Sequence, residues 1–275
     1  MKKMLLAVLL MPLLVIGGEE VLQLRCIPSP NLLKNADFSK INPNGYPEAW
    51  VFDNCSKSPL CKSRIVGTQE FNYLEIYTDW QKFGYWLQKV SVSENVSYYA
   101  SVEVQSNAPV PAIWLRCLAG KDASGKSLRN LESVTKAYLY HSKERKELLK
   151  DFIDERLIRT LDDESWNRIG KEIQIPEKRG MKSMDMRIGI CGGNAGIARF
   201  RNPVFRKAES TLEIKITGKN WKTVMIKGAK PDIVTLDSTK AVQRVSVILP
   251  VACRIYKVEL TGENGKKVFG EVTNE

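Results

Sequence analysis

Short runs in which apolar and polar residues alternate recur along most of this chain, each bounded by Gly, Pro, Asn or Ser, and that period of two predicts β-strands. In the first half they are Leu74-Glu75-Ile76-Tyr77, Tyr85 to Val92, Tyr98 to Val104 and Ala112 to Leu118. The rhythm returns at Trp166 to Ile175, Met184 to Ile190 and Ala198 to Phe205. Alternation also assigns faces. Gln88, Val90 and Val92 fall on one side, with Leu87, Lys89 and Ser91 on the other; Tyr98, Ala100, Val102 and Val104 oppose Tyr99, Ser101, Glu103 and Gln105. A turn at Lys121 to Lys126 closes the first group. The glycine-rich Gly192 to Gly196 reads as a hairpin, because it lacks the Lys-Ser/Thr ending and the following helix of a phosphate loop.

The middle of the chain breaks the strand rhythm. Leu131 to Leu161 is rich in Lys, Glu, Arg and Leu, and Leu148, Leu149, Phe152, Ile153, Leu157 and Ile158 are spaced as one apolar stripe, predicting one or two amphipathic helices packed on the strands. The single histidine, His141, lies in this segment beside Tyr140 and Ser142 and reads as solvated. From Ser210 the style changes again. Thr211 to Thr217, Thr223 to Gly228, Ala241 to Leu249, Arg254 to Leu260 and Val268 to Val272 predict short strands, with a turn at Gly262-Glu263-Asn264-Gly265. The expected fold class is all-β: a sandwich over 31–207 with a helical insertion at about 131–161, then a small immunoglobulin-like β domain over 208–275, without the Cys…Trp…Cys spacing of a true immunoglobulin domain.

The first residues bear on location. Met1-Lys2-Lys3, an apolar run from Met4 to Ile16 and the small pair Gly17-Gly18 have the layout of a secretory signal peptide over residues 1–18. The run is shorter than the roughly 20 residues that span a bilayer, and no later run reaches that length, so the reading is a secreted or extracytoplasmic protein without membrane insertion. Removing Lys2 and Lys3 from the 42 basic residues leaves 40 against 31 acidic ones, a balance of +9. That excess is spread, its local peaks adjoin acids, and nucleic acid is not an expected partner. Six cysteines, Cys26, Cys55, Cys61, Cys117, Cys191 and Cys253, suit disulfides in an oxidising compartment. Cys55 with Cys61 is the best local pair, but six cysteines allow 15 pairings and the spacing does not choose among them.

Chemistry is sparse. No CxxC pair or Cys/His cluster accompanies His141, so neither a zinc site nor any other cofactor is expected. Asp162-Asp163-Glu164 is the densest acidic cluster, yet these are sequence neighbours rather than carboxylates facing across a sugar cleft. No GxSxG or comparable nucleophile motif is present, and the reading is not an enzyme.

Asn31 to Asp53, NLLKNADFSKINPNGYPEAWVFD, predicts a short strand carrying Leu32, Leu33 and Phe38 inward, a turn at Asn42-Pro43-Asn44-Gly45 and an aromatic plug at Trp50. This stretch resembles the entrance of the CenC-type carbohydrate-binding modules attached to bacterial cellulases and xylanases, jelly rolls of the galactose-binding-like kind. SWNRIGKEIQIP, from Ser165, and GNAGIARFRNPVF, from Gly193, resemble the module's penultimate unit and closing strand, so the likeness spans about Asn31 to Lys207. Where many such modules place calcium-holding acids, this chain has Ser39 and Arg201-Asn202, which lack the hard carboxylate oxygens that Ca²⁺ prefers. The resemblance implies non-catalytic binding of a polysaccharide or other glycan. Its alternative is a structural or adhesive protein with a cell-surface partner, using the same fold without a sugar site. For the glycan reading, alternation nominates Tyr99, Glu103, Gln105, Trp114, Arg116 and Arg187: rings to stack on sugars, and guanidinium, amide and carboxylate groups to bind hydroxyls.

Overall fold

The computed structural model describes residues 21–54, 57, 59, 61–78, 84–106, 112–119, 135–140, 158–160, 166–175, 177, 180–191 and 196–274. Two compact units emerge, one made of Ser29–Ala208 and the other of Met1–Pro28 with Glu209–Glu275. The signal-like residues 1–18, the 121–126 turn, Trp80, His141, Cys55 and Asp162 to Glu164 lie outside the described residues.

In the Ser29–Ala208 unit, the described residues form eleven strands in two sheets. They are β2 (Val51–Asp53), β3 (Lys62–Gly67), β4 (Asn72–Thr78), β5 (Gly84–Ser91), β6 (Ser97–Ser106), β7 (Ala112–Ala119), β8 (Thr135–Tyr140), β9 (Ile158–Thr160), β10 (Asn167–Gln174), β11 (Ser183–Cys191) and β12 (Gly196–Lys207). One sheet runs β10-β6-β12-β4-β3 and the other β2-β5-β11-β7-β8-β9. Consecutive strands such as β4 and β5, β5 and β6, or β11 and β12 pass from one sheet to the other, as in a jelly roll. Alternation explains why the sheets stack. Val102, Val104, Phe200, Phe205, Leu74 and Ile76 of the first sheet, and Trp86, Val90, Met184, Met186, Ile188 and Ile190 of the second, belong to one buried cluster. Burial of this apolar area is the main force joining the sheets.

Three expectations need correction. The 131–161 segment is not one helical insertion: residues 135–140 are β8, antiparallel to β7, and residues 158–160 are β9, parallel to β8. There, neighbouring sheet edges override the Leu/Lys/Glu-rich pattern; residues 141–157 lie outside the described ones, and no helix occurs among the described residues. The glycine-rich link after β11 is not a hairpin, since β11 pairs with β5 and β7 while β12 pairs with β4 and β6. Finally, the 31–50 segment forms turns rather than a strand. Leu33 and Phe38 are buried, but Leu32 is exposed.

That segment is pinned by specific bonds. Trp50 meets Phe38 edge-on at 5.5 Å between ring centroids, and its indole N–H donates to the Asn35 carbonyl at 3.3 Å. Asn42 accepts from Asn44 N–H and Tyr46 N–H, and Gly45 takes φ 79°, a backbone conformation glycine adopts without Cβ strain. Asn31 clamps the segment to β12. Its amide donates to the Pro203 carbonyl and its Oδ1 accepts from Phe205 N–H, beside a register shift between Arg201 and Val204. Proline has no N–H for the ladder, which suits it to such a bulge.

The other unit is also all-β. Here β1 (Leu22–Pro28), β13 (Ser210–Thr217) and β16 (Val242–Leu249) form one antiparallel sheet; β14 (Trp221–Ile226), β15 (Ile233–Thr235), β17 (Ile255–Gly262) and β18 (Lys267–Thr273) form another. Their inward residues, among them Leu22, Leu212, Ile214, Val224, Tyr256 and Val258, make a second core. Its edge strand β1 precedes the sandwich in the chain and pairs with β13 from Leu22↔Ile216 to Pro28↔Ser210. Cys253 is an exposed free thiol of this unit, and Cys61 is buried in the sandwich core. Among the described residues no helix is long and apolar enough to cross a membrane.

Candidate functional site on the six-stranded sheet

The outer faces of the two sheets differ in how far their polar groups are already satisfied. On the five-stranded sheet, Glu75 lies between Arg64 and Arg199: Arg64 Nε donates to Oε1 at 2.7 Å and Arg199 Nε to Oε2 at 3.0 Å. Arg199 also donates to Gln105 Oε1 at 3.1 Å. One register row away, Glu103 accepts from Arg201 at 2.7 Å, Arg168 at 3.2 Å and Asn202 at 3.1 Å. Burial by itself would raise the Glu103 carboxyl, but these donors outweigh it and hold its pKa below the usual 4.5. The Arg201 guanidinium sits 4.3 Å from the Phe71 ring centroid and 4.2 Å from that of Trp166, a cation against two rings that themselves meet edge-on. Tyr99 is buried, with the Arg206 guanidinium 5.4 Å from its ring centroid.

On the six-stranded sheet three register rows can be followed across the backbone. The first runs Asp53, Tyr85, Gly189, Trp114, Tyr138; the second runs Val51, Leu87, Arg187, Arg116, Lys136; the third holds Lys89, Asp185 and Leu118. Gly189 is required by close approach, since a Cβ there would come within 2.5 Å of Tyr85 Cβ. The Tyr85 hydroxyl donates to Asp53 Oδ2 at 2.6 Å and accepts from Arg187 Nη1 at 2.9 Å. Arg187 also lies 4.7 Å from the Tyr85 ring centroid, and its Nη2 donates to Asp185 Oδ2 at 3.4 Å. These side chains are held in place, being only 18% and 21% exposed for Arg187 and Asp185. Yet Arg187 Nε and Asp185 Oδ1 are buried without a hydrogen-bond partner among the described residues. Such orphans each carry a desolvation cost of about 1–3 kcal/mol.

The six residues nominated from sequence therefore do not come together. Tyr99, Glu103 and Gln105 stand on β6 in the five-stranded sheet; Trp114 and Arg116 on β7 and Arg187 on β11 stand in the six-stranded one. One contiguous surface takes one group or the other, because a core separates the sheets. Sequence reasoning passed over Tyr85, Asp53 and Asp185. The signal for Tyr85 was present, since alternation puts it on the side of Leu87 and Lys89 rather than with Gln88 and Val90. No group of three or more His, Cys, Asp or Glu positioned for a metal ion occurs among the described residues.

No family model matches this chain, and no curated protein matches it either. Solved structures do. A family 4 carbohydrate-binding module shares 11% identity, with 63% of this chain and 98% of the module covered, at a TM-score of 0.41. A family 61 module in complex with β-1,4-galactotriose shares 14% identity over 65% of this chain and 99% of its own, at 0.40. The family 11 module of a Clostridium thermocellum cellulosomal cellulase shares 13% over 66% and 96%, at 0.38. The solved structures to which this chain is similar thus include carbohydrate-binding modules of several families.

Proposed function

We propose that this is an exported, non-catalytic carbohydrate-binding protein whose saccharide site is the outer face of the six-stranded sheet. The observation that carries the reading is the cluster of Tyr85, Arg187, Asp185 and Asp53, an aromatic ring joined to a guanidinium and two carboxylates on one sheet face. Sugar hydroxyls both donate and accept, so they suit the polar groups that this cluster leaves partly exposed. Trp114 and Tyr138 occupy the register row of Tyr85 and add aromatic residues of the kind that cover apolar ring faces. The sequence resemblance over Asn31 to Lys207 supports the same class, and the signal-like residues 1–18 support export. Asp53 and Asp185 serve here as orienting groups, bonded to the Tyr85 hydroxyl and to Arg187.

Polysaccharide pulldown and a glycan array test this reading with wild type, Trp114→Ala and Tyr99→Ala, each confirmed folded by circular dichroism. The expected result is binding by wild type and Tyr99→Ala and its loss in Trp114→Ala. Retention by Trp114→Ala with loss in Tyr99→Ala would move the site to the five-stranded sheet. No binding by wild type to any glycan would favour the structural or adhesive alternative.

A further inference from the structure

Strand β18 (Lys267–Thr273) closes one side of the four-stranded sheet, and among the described residues it pairs with β17 alone. The phase of that pairing is fixed at both ends. Gly262 N–H donates to the Lys266 carbonyl at 2.8 Å, and Asn274 N–H donates to the Arg254 carbonyl at 3.1 Å. Residues of an antiparallel ladder alternate between bonding the partner and facing away from it, so Lys266, Val268, Gly270, Val272 and Asn274 direct their backbone groups at β17. Those of Lys267, Phe269, Glu271 and Thr273 point to the open edge. Native sheets blunt such edges with proline, bulges or inward-pointing charges. This strand has no proline, its register with β17 is unbroken, and its inward residues are Val268, Gly270 and Val272. At its middle stands Phe269, 65% exposed, with Lys267 two residues before it and Glu271 two residues after.

We infer that β18 is the pairing strand of a two-fold homodimer, adding antiparallel to β18 of a second copy so that the two sheets join edge to edge. This inference is independent of the saccharide reading. The bonding groups at the edge belong to odd-numbered residues, so a two-fold partner must bring odd against odd, which leaves few registers. With Phe269 opposite the partner's Phe269, Lys267 meets the partner's Glu271 and Glu271 meets the partner's Lys267. Two ion pairs then flank an aromatic pair, the combinations that favour cross-strand pairing. The next register sets Phe269 against a glutamate, and the one beyond it sets Glu271 against Glu271, a repulsive pair. Lys267 and Glu271 are bonded to Glu259 and Lys257 of β17, yet their side chains remain 51% and 55% exposed. A single strand pair buries less than the roughly 1,200 Å² of a standard interface, so the dimer is weak and concentration-dependent.

The test is sedimentation equilibrium of the full chain from about 1 µM to about 1 mM, a range that spans weak association. All proteins carry Cys253→Ser, so that this exposed thiol forms no covalent dimer. The parent should pass from monomer to dimer. Lys267→Glu alone and Glu271→Lys alone each set like charges opposite one another and should weaken self-association by about tenfold or more. An equimolar mixture of these two variants should regain the parent affinity as a heterodimer, because every pair is again opposite in sign, a rescue that loss of folding does not produce. Phe269→Lys should also weaken the dimer, whereas Ile255→Lys, an exposed position of the same sheet on β17, should not. Should a charge variant fail to fold by circular dichroism, Phe269→Lys carries the result. A parent that stays monomeric throughout, folded single variants that dimerise as the parent does, or a folded mixture that stays monomeric would overturn the inference. Equal weakening by Ile255→Lys would show sheets stacking face to face and overturn it too.

Discussion

The two outer faces of the sandwich use the same residue types to opposite ends. On the five-stranded sheet, arginine and glutamate alternate from strand to strand and each carboxylate is held by two or three donors. Its cation Arg201 already lies against the rings of Phe71 and Trp166. On the six-stranded sheet, Arg187, Arg116 and Lys136 share one register row, and the Arg187 to Asp185 pair keeps one atom on each partner without a hydrogen bond among the described residues. Composition does not separate these surfaces. The order of charges across the strands does: the first is a bonded network of alternating charges, and the second carries the proposed saccharide site.

The contrast breaks if damage to the closed network proves harmless, and the largest effect is expected there. Glu75 is 4% exposed and bonded to two arginines, so Glu75→Ala should cost about 2–3 kcal/mol of stability in denaturant unfolding, the range for losing charged hydrogen bonds at a buried group. Saccharide binding should survive under conditions where that variant stays folded. An effect below the error of the measurement would mean that this lattice is surface decoration.

On the open face the expected effect is on binding rather than folding. Arg187→Gln should weaken glycan binding by about tenfold or more, equivalent to about 1.4 kcal/mol, while its thermal midpoint moves less than that of Glu75→Ala. The reverse pattern, a large loss of stability with binding intact, would make Arg187 part of a second closed network and erase the distinction.

A finer test concerns Arg201. Replacement by Lys keeps the charge but loses the guanidinium that lies against Phe71 and Trp166 and donates to Glu103, and about 1 kcal/mol of stability should go with it. Full rescue by Lys would show that charge alone matters at this position. The smallest effect is a pH dependence. Glu103 has its folded pKa lowered by Arg201, Arg168 and Asn202 against the opposing effect of burial. Its contribution is therefore fully present above the ordinary value of 4.5 and is lost as pH falls through the lower folded value. The stability difference between wild type and Glu103→Gln, measured by urea unfolding, should shrink as pH drops below about 4.5. A difference that grows on acidification would reverse the sign and refute the assignment.

Much of the sandwich is legible in the residues themselves, for a local reason. A strand alternates faces whatever its neighbours are, so Val102 and Val104, or Val90 beside Gln88, declare an inward side without reference to any partner. Even the polar exception follows, because Gln88 is buried and bonds both backbone groups of Lys34. Asn31 and the Asn42 to Gly45 turn are legible in the same way, since their bonding needs are met within a few residues or by one clamp. Residues 135–140 and 158–160 were not, because a short strand beside Lys- and Glu-rich sequence owes its state to a waiting sheet edge rather than to its own pattern.

What alternation does not encode is which strands share a sheet. Tyr99 and Trp114 lie only 15 positions apart in numbering, yet β6 and β7 enter different sheets, while Arg187 is brought beside Arg116 by pairing between strands some 70 residues apart. The sequence by itself determined the period, the inward side of most strands and the stock of aromatic and basic residues. Only the tertiary structure decided the register, and with it which charges alternate and which stand together, because pairing is settled by burial of both sheets at once rather than by any single strand.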